Sequence, residues 1–362
     1  MGDQVSKSNM KAISNISRIQ VRNETLMLLL DLYESKGKTF YYDDLFKKDI
    51  DAFLKKSLEE DIYEIAKYLN LDLTDARINL CAKRDFVPKN KDEQLLFNIK
   101  KVLYRIQNNS ERFELIANEI HELGKTLGSN HTSVNWQKTK SEFEDGLFDN
   151  SNFKNTREAL EKLISLYKSL IKAKEYELVN VNTNFYVDFV NMQIFDNLND
   201  LIALFVLYSL IFQTFPIFKY VSFFKHFRSL MKPWEYAINQ ANYNWASKFP
   251  QTDNLTELVY RMLIESYKEV DDFAYSYEFE RDLNKSDSLE NTILKFKKLF
   301  TKEDLREVHP TISDSTINRT LQRLKDERKI IVIGAGRSSK WQVIDVRDTK
   351  FSRIELFKDK ED

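Results

Sequence analysis

Most of the first 280 residues carry apolar side chains at intervals of three or four positions, with polar and charged residues between them. An α-helix presents one face at this period, so the pattern predicts amphipathic helices. The first predicted helix is Asn23–Gly37, and a second periodic block covers residues 44–71. We expect Gly124 and Gly128 to end a helix that begins at Glu111. Further helices are predicted at residues 93–107, 156–174, 178–195 and 201–215, followed by aromatic-rich helices to about residue 277.

Glycine and proline are scarce, with seven and five residues in the whole chain and no glycine between Gly146 and Gly334. Few tight turns can form without glycine, which favours long helices and a mainly α fold class. The polar stretch Arg281–Ser288 is predicted to be a linker before a final module. The predicted parts are an N-terminal helical region at 1–70, a helical domain at 71–280, a smaller module at 288–347 and a polar tail at 348–362.

The stretch Leu201–Phe218 contains no charged residue and is barely long enough to cross a bilayer. Polar residues lie within it, Pro216 breaks its end, and neither a second span nor a marked basic flank accompanies it. We therefore interpret it as a buried central helix and expect no membrane partner.

The charge balance is close to neutral, with 55 basic and 56 acidic side chains, so the net charge identifies no partner. Cys81 is the single cysteine, which excludes an internal disulfide framework and favours a reducing cytoplasm. The four histidines are scattered, with no spacing typical of metal ligands, so no metal site is predicted.

The last module begins with a helix predicted at Leu289–Phe300, and Thr301 then precedes a short helix as a capping residue with Asp304. His309 and Pro310 predict a turn, and Ser313 is expected to cap a third helix. In that third helix Ile317, Leu321 and Leu324 share one face, whereas polar residues occupy the rest.

Two β-rich runs follow, Ile330–Ile333 and Trp341–Ile344, joined by a loop that contains Gly334 and Gly336. Helices followed by such a hairpin predict a winged helix-turn-helix, with the third helix in the major groove and the hairpin on phosphates. Residues 313–329 contain five basic and three acidic side chains, a modest surplus that leaves protein docking or dimerisation as the alternative. The predicted DNA-binding residues are Asn318, Arg319, Gln322, Arg323, Arg337 and Lys340.

The order of several segments, ending in a winged helix with a Gly-Ala-Gly-Arg-Ser-Ser loop, resembles the Fic family of adenylyltransferases. The similar segments are Leu178–Asn199, Trp234–Ile238, Leu255–Phe273 and residues 74–107, so the resemblance spans most of residues 70–345. It implies a Fic-like helical body that carries the signature His-Pro-Phe-x-Asp-Gly-Asn-Gly-Arg-x-x-Arg.

The resemblance places Phe195 on the signature phenylalanine and Asn199 on its asparagine, and these two residues alone match. The family histidine deprotonates a target hydroxyl, and the glycines and arginines hold triphosphate. An amide cannot accept a proton at neutral pH, and an aspartate repels phosphate. The positions that differ are Gln193 for the histidine, Ile194 for the proline, Asn197 for the aspartate, Leu198 and Asp200 for the glycines, and Leu201 and Leu204 for the arginines.

The family's N-terminal inhibitory motif, Ser/Thr-x-x-x-Glu-Gly/Asn, resembles Thr74–Asn79, with Ile78 in place of the glutamate. In the family that glutamate blocks a signature arginine. The loss of both is what a catalytically retired copy is expected to show.

The sequence therefore leads to the hypothesis of a catalytically degenerate Fic-like regulator or adaptor that binds DNA and needs no cofactor. The alternative is a divergent protein adenylyltransferase that uses ATP with Mg²⁺, and a third hypothesis is an interaction protein that binds neither DNA nor nucleotide. DNA, a protein and a second copy of the chain are the candidate partners.

Overall fold

A computed structural model describes residues 10–18, 21–108, 113–137, 155–246, 250–281, 285–296, 299–334 and 339–344. Helices dominate these residues, and their one sheet is a two-stranded antiparallel hairpin near the C-terminus. The predicted fold class, a mainly α body followed by a short β-hairpin, is confirmed.

Two compact units make up the chain. One unit, which we call the body, comprises residues 1–44 and 53–270, and the other, which we call the C-terminal unit, comprises residues 45–52 and 271–362. Short 3-10 helices cover Ile13–Arg18 and Pro216–Lys219. The α-helices up to residue 281 are α1 (Asn23–Gly37), α2 (Thr39–Leu45), α3 (Ile50–Tyr68), α4 (Asp75–Lys83), α5 (Lys91–Gln107), α6 (Ala117–Gly128), α7 (Thr156–Ala173), α8 (Leu178–Met192), α9 (Asn199–Thr214), α10 (Phe223–Ser229), α11 (Met231–Ala246) and α12 (Asp253–Arg281).

Helices α8 and α9 form the centre of the body, where α8 packs against α7, α9 and α11, and α9 also packs against α5 and α6. Every side chain of α9 from Leu201 to Phe212 is buried, as expected for a helix that is apolar on all sides. Pro216 then begins a 3-10 helix. In the described ranges, no helix combines the length and apolar character that crossing a membrane requires.

Helix α6 differs from its prediction at both ends. It begins at Ala117 rather than Glu111 and continues through Gly124 as far as Gly128. A Cβ at Gly124 would lie 2.9 Å from Ile202 Cδ1 of α9 and 3.0 Å from Val134 Cγ1. Gly124 therefore allows two helices to approach closely and does not end the helix.

Among the described residues of the body, the carboxylates of Asp61 and Asp188 are fully buried. Asp61 on α3 accepts hydrogen bonds from Ser222 Oγ at 2.6 Å and from Gln107 Nε2 at 2.9 Å. Asp188 on α8 accepts from the Ala12 amide at 2.8 Å and from Trp245 Nε1 at 2.7 Å. Burial raises the pKa of Asp61 to about 7 and that of Asp188 to about 6, even though these hydrogen bonds oppose the rise.

The C-terminal unit contains α13 (Lys285–Lys295), α14 (Lys302–Val308), α15 (Asp314–Asp326), β1 (Ile330–Ile333) and β2 (Lys340–Val343). The capping box of Thr301 and Asp304 and the cap by Ser313 are confirmed. The prediction of a linker over residues 281–288 was wrong in extent, because α13 already begins at Lys285. The core of the unit consists of Leu289, Ile293, Phe300, Leu305, Ile312, Ile317, Leu321, Leu324, Ile330 and Trp341.

The hairpin pairs Ile330 with Val343 and Ile333 with Lys340. On the other edge of β2, the Trp341 amide donates to the Phe300 carbonyl at 2.8 Å, and the Phe300 amide donates to the Trp341 carbonyl at 3.0 Å. Phe300, which lies between α13 and α14, thus forms a one-residue antiparallel bridge with β2. This bridge connects the helices of the unit to the hairpin.

Candidate functional site

Residues 193–198, which we call the signature loop, connect α8 to α9 in the body. The backbone is left-handed at Gln193 (φ 46°) and at Leu198 (φ 57°), a conformation that costs a residue with a Cβ on the order of 1 kcal/mol. Leu198 stands where the family pattern has a glycine, the residue that adopts this conformation without such a cost. At position 198 the loop therefore has a left-handed backbone conformation, which a glycine would adopt more easily than the leucine that is present.

Backbone hydrogen bonds fasten the signature loop to the segment that precedes residue 138. The Gln137 amide donates to the Ile194 carbonyl at 2.9 Å, and the Asp196 amide donates to the Asn135 carbonyl at 3.1 Å. The Asn135 amide donates in turn to Asp196 Oδ1 at 2.9 Å. Burial opposes the ionised form of Asp196, but the hydrogen bonds from Asn135 and Asn197 together outweigh it and lower the pKa of that carboxyl.

The two residues that match the family signature hold the loop in place. Asn199 Oδ1 accepts from the Phe195 amide at 3.2 Å, and Asn199 Nδ2 donates to the Val190 carbonyl at 3.4 Å. The buried ring of Phe195 lies 5.0 Å from Trp136 and 5.7 Å from His121, with the His121 ring nearly parallel to it. Both side chains thus act on the shape of the loop.

His121 of α6 lies beside the signature loop, where its ring is close to Phe195. The sequence does not indicate this proximity, because it depends on the tertiary fold. Burial lowers the pKa of His121, and the nearby Lys125 lowers it further. Its Nε2 atom lies 3.4 Å from the Val134 carbonyl oxygen. The ring serves as an aromatic neighbour of Phe195 in this arrangement.

The remaining signature positions provide no cation, and position 193 carries an amide in place of a basic side chain. Gln193 is exposed, and its Nε2 donates to the Val190 carbonyl at 2.7 Å. Leu201 and Leu204, aligned with the arginines, are buried in the core of the body. Asp200 is an exposed carboxylate in the first turn of α9.

Two further aligned positions lie on either side of Phe195. The Asn197 side chain donates to the Ser133 carbonyl at 3.1 Å, and Ile194 is buried. Both residues therefore attach the loop to its surroundings.

The segment that resembles the inhibitory motif forms the start of α4. Thr74 caps this helix by accepting from the Arg77 amide, and Ile78 is fully buried. Arg77 makes a two-point ion pair with Glu93 of α5, at 2.8 and 2.7 Å. No carboxylate stands at position 78 to block an arginine, and no arginine stands at positions 201 or 204.

In the C-terminal unit, α15 has two distinct sides. Ile317, Leu321 and Leu324 are buried on one side, whereas Asn318 and Arg319 are exposed on the other. We call this exposed side the outward face of α15.

Intramolecular bonds engage two other predicted DNA-binding residues of α15. Gln322 Nε2 donates to Asp326 Oδ1 at 2.9 Å. Arg323 pairs with Glu290 of α13 at 2.5 Å and with Glu327 at 3.1 Å. Arg323 therefore neutralises acids within its own unit.

The hairpin carries the last two predicted residues. Lys340 is exposed at the start of β2, and Arg337 lies outside the described residues. Among the described residues, no group of three or more histidine, cysteine or acidic side chains is arranged to hold a metal ion.

Comparison with known proteins identifies the fold. The crystal structure of a Fic family protein from Desulfovibrio desulfuricans G20 superimposes with a TM-score of 0.51 over 90% of this chain and 97% of that chain, at 9% sequence identity. No family model matches the sequence. No curated protein matches it either. The chain therefore has a Fic-like fold.

Proposed function

We propose that this chain is a Fic-like protein without adenylyl-transfer chemistry that binds double-stranded DNA through its C-terminal unit, as a regulator or adaptor. The observation that carries the proposal is the outward face of α15. Asn318, Arg319 and Gln322 share this face, and amide and guanidinium groups can form paired hydrogen bonds with base edges in the major groove.

The order and pairing of elements in the C-terminal unit support a winged helix-turn-helix. Its three helices are followed by a hairpin, and Phe300 between the first two helices pairs with β2. The buried side of α15 packs on α13 and β1, which fixes the direction of the outward face. A rigid helix on a small core is the form in which such modules enter the major groove.

The charge distribution supports a polyanionic partner. Residues 288–347 contain 13 basic and 8 acidic side chains, whereas the whole chain has 55 basic and 56 acidic ones. The module thus carries a formal charge of +5, and the remainder carries −6. The body itself carries only −1, and the other residues of the C-terminal unit carry −5, so the basic surplus is confined to residues 288–347, where DNA is expected to bind.

The assignment of roles within α15 follows from the ion pairs. Arg319 is exposed and available to a phosphate or a base. Arg323 is held by Glu290, a carboxylate whose pKa is lowered by its bonds with Lys329 and Arg323. In the proposal, Arg319 contacts DNA and Arg323 orients α15 on α13.

The chemistry of the signature loop supports the absence of catalysis. Deprotonation of a hydroxyl requires a base within hydrogen-bond distance of it. Gln193, which is aligned with the family histidine, carries an amide, and an amide does not accept a proton at neutral pH. Asp200 adds a negative charge at the N-terminus of α9, where triphosphate would need positive charge. No nucleotide cofactor is part of the proposal.

The experiment is a titration of the full chain with a labelled random-sequence duplex, followed by fluorescence anisotropy. We expect a Kd of roughly 1–100 µM near physiological salt, and an affinity that falls steeply as salt rises from about 50 mM to about 200 mM. Binding without salt dependence, or no binding at low salt, would contradict the proposal.

A further inference from the structure

Helix α1 of the body exposes an unusual amount of apolar surface. It carries seven large apolar side chains, of which only Leu32 is buried. Leu26, Met27, Leu30 and Tyr33 are all at least 40% exposed. A surface helix normally buries its apolar side, so a helix that exposes most of it is expected to have a partner.

The exposed residues of α1 have the spacing of a helix–helix contact. Leu26, Leu30 and Tyr33 follow each other at intervals of four and three residues, with Asn23 before them and Gly37 after them. This is the spacing of core positions in a two-helix seam. The seam lies on the side of α1 away from Leu32. Leu26 and Leu30 are exposed there, whereas Tyr33 at its end is partly exposed and also contacts Phe215 of the body.

Contacts with the rest of the body hold α1 in one orientation. Arg22, just before the helix, pairs with Glu257 at 2.5 Å, and Thr25 also donates to Glu257. The Tyr33 hydroxyl donates to Glu177 Oε1 at 2.9 Å. The exposed seam is therefore preorganised, which lowers the entropic cost of binding a partner.

The exposed apolar residues of α1 and of the residues on either side of it together provide an area comparable with one half of a stable interface. Of the 19 large apolar residues that are exposed among the described ranges, seven lie between residues 21 and 41, and Phe40 alone is 85% exposed. Their exposed fractions add up to almost four whole side chains, or roughly 800 Å² at about 200 Å² for each. A standard interface buries about 800 Å² on each partner.

The charges of the same stretch suit a second copy of the chain. Residues 21–41 contain three basic and three acidic side chains, so two copies meet without net repulsion. Glu24 lies in the first turn of α1, and Lys38 follows its last turn. An antiparallel pair places each Glu24 near the partner's Lys38 and aligns opposite ends of the two helix dipoles.

We infer that α1 is the centre of a two-fold symmetric interface between two copies of this chain, with the two α1 helices packed antiparallel. Such an interface uses the same patch on both subunits and closes at a dimer. It does not depend on DNA binding, so either proposal can fail without the other.

Sedimentation equilibrium of the full chain at micromolar concentrations tests the interface, with Leu30→Glu as the disrupting variant. We expect the natural chain to be a dimer and Leu30→Glu to raise the dimer dissociation constant at least about 30-fold, because two carboxylates would be buried in the seam. Val87→Glu replaces another exposed apolar residue of the body and is expected to remain dimeric.

Circular dichroism separates loss of the dimer from loss of folding, since Leu30 is exposed and its replacement should leave the helical signal unchanged. A Leu30→Cys variant adds an independent check. The native Cys81 is buried, so the introduced thiol near the two-fold axis is the one that should form an intermolecular disulfide on mild oxidation. A monomeric natural chain, or a Leu30→Glu variant that stays dimeric, would overturn the inference.

Discussion

The signature loop and the outward face of α15 both contain residues that the sequence associates with function, but the two regions differ in which groups they present. In the loop, the matching residues Phe195 and Asn199 are buried and support the backbone. On α15, Asn318 and Arg319 are exposed, and the buried residues lie on the opposite side. In the signature loop the matching residues stabilise the backbone conformation, whereas on the outward face of α15 hydrogen-bonding groups are exposed on a helix that is packed against its unit.

A residue that matches the family signature can therefore be required for packing rather than for catalysis. Phe195 is enclosed by aromatic rings, and Asn199 satisfies a backbone amide, so both are needed for any loop of this shape. A fold can therefore retain these residues after the groups that hold nucleotide have changed. The comparison predicts stability effects in the loop and binding effects on α15.

The largest expected effect is that of Phe195→Ala. Removal of a fully buried phenylalanine leaves a cavity against His121 and Trp136 and should lower the free energy of unfolding by about 3–5 kcal/mol. Urea denaturation measures this loss. Tyr236→Ala, which truncates an exposed ring on α11, is the control and should change the free energy by less than about 0.5 kcal/mol. If both variants lost the same free energy of unfolding, Phe195 would not have the structural role assigned to it.

The second prediction concerns pH, which should act on the body through Asp61. Its pKa is raised to about 7 in the folded state from an ordinary value near 3.8, so the folded state binds the proton more tightly. The free energy of unfolding should therefore fall as pH rises from about 4 to about 7, by on the order of 3 kcal/mol from this group alone.

The Asp61→Asn variant isolates this effect. The amide still accepts from Ser222, and a rotation of the Gln107 amide can accommodate its NH₂ group. The variant should show a weaker decline of stability between about pH 5 and pH 8 than the natural chain when urea midpoints are compared. Identical declines in both proteins would contradict the assignment.

The third prediction separates Arg323 from Arg319 on α15. Arg323→Ala removes ion pairs with Glu290 and Glu327, and because these groups are partly exposed the loss of stability should be about 0.5–1 kcal/mol. Its effect on DNA affinity should be smaller than that of Arg319→Ala. Thermal denaturation and anisotropy on the same samples measure both quantities. A larger loss of affinity with Arg323→Ala would reverse the two roles.

The smallest expected effect is that of nucleotide. ATP with Mg²⁺ should leave the thermal midpoint of the chain unchanged, because α9 offers no cation at positions 201 and 204 and the signature loop offers no base at position 193. Incubation with α-labelled ATP and lysate should transfer no label. A raised midpoint, or label transfer that Gln193→Ala abolishes, would favour an adenylyltransferase instead.

Local sequence patterns predicted the elements that depend on local chemistry. Helix α1 has the predicted bounds, and the caps at Thr301 and Ser313 are present, because capping involves residues three positions apart. The block over residues 44–71 was less accurate. It contains the end of α2 and all of α3, with a turn before Ile50 that the apolar period does not reveal.

Contacts between residues that are far apart in the chain could not be predicted from local sequence patterns. Gly124 was expected to end a helix, yet Ile202, which is 78 positions away, explains why it lies within one. The bonds between Asn135 and Asp196 join residues that are 61 positions apart, a contact that no local pattern indicates. The ion pair between Arg323 and Glu290 likewise depends on how α15 packs on α13.

The most direct test of the central claim compares Arg319→Ala with Arg261→Ala in duplex titrations at two salt concentrations. Arg261 is an exposed arginine of the body and serves as the matched control. We expect Arg319→Ala to weaken binding roughly 10-fold and to lower the salt slope by about one, because one cation no longer contacts DNA. We expect Arg261→Ala to bind DNA with the affinity of the natural chain. An unchanged affinity and slope for Arg319→Ala would contradict the claim that the outward face of α15 binds DNA.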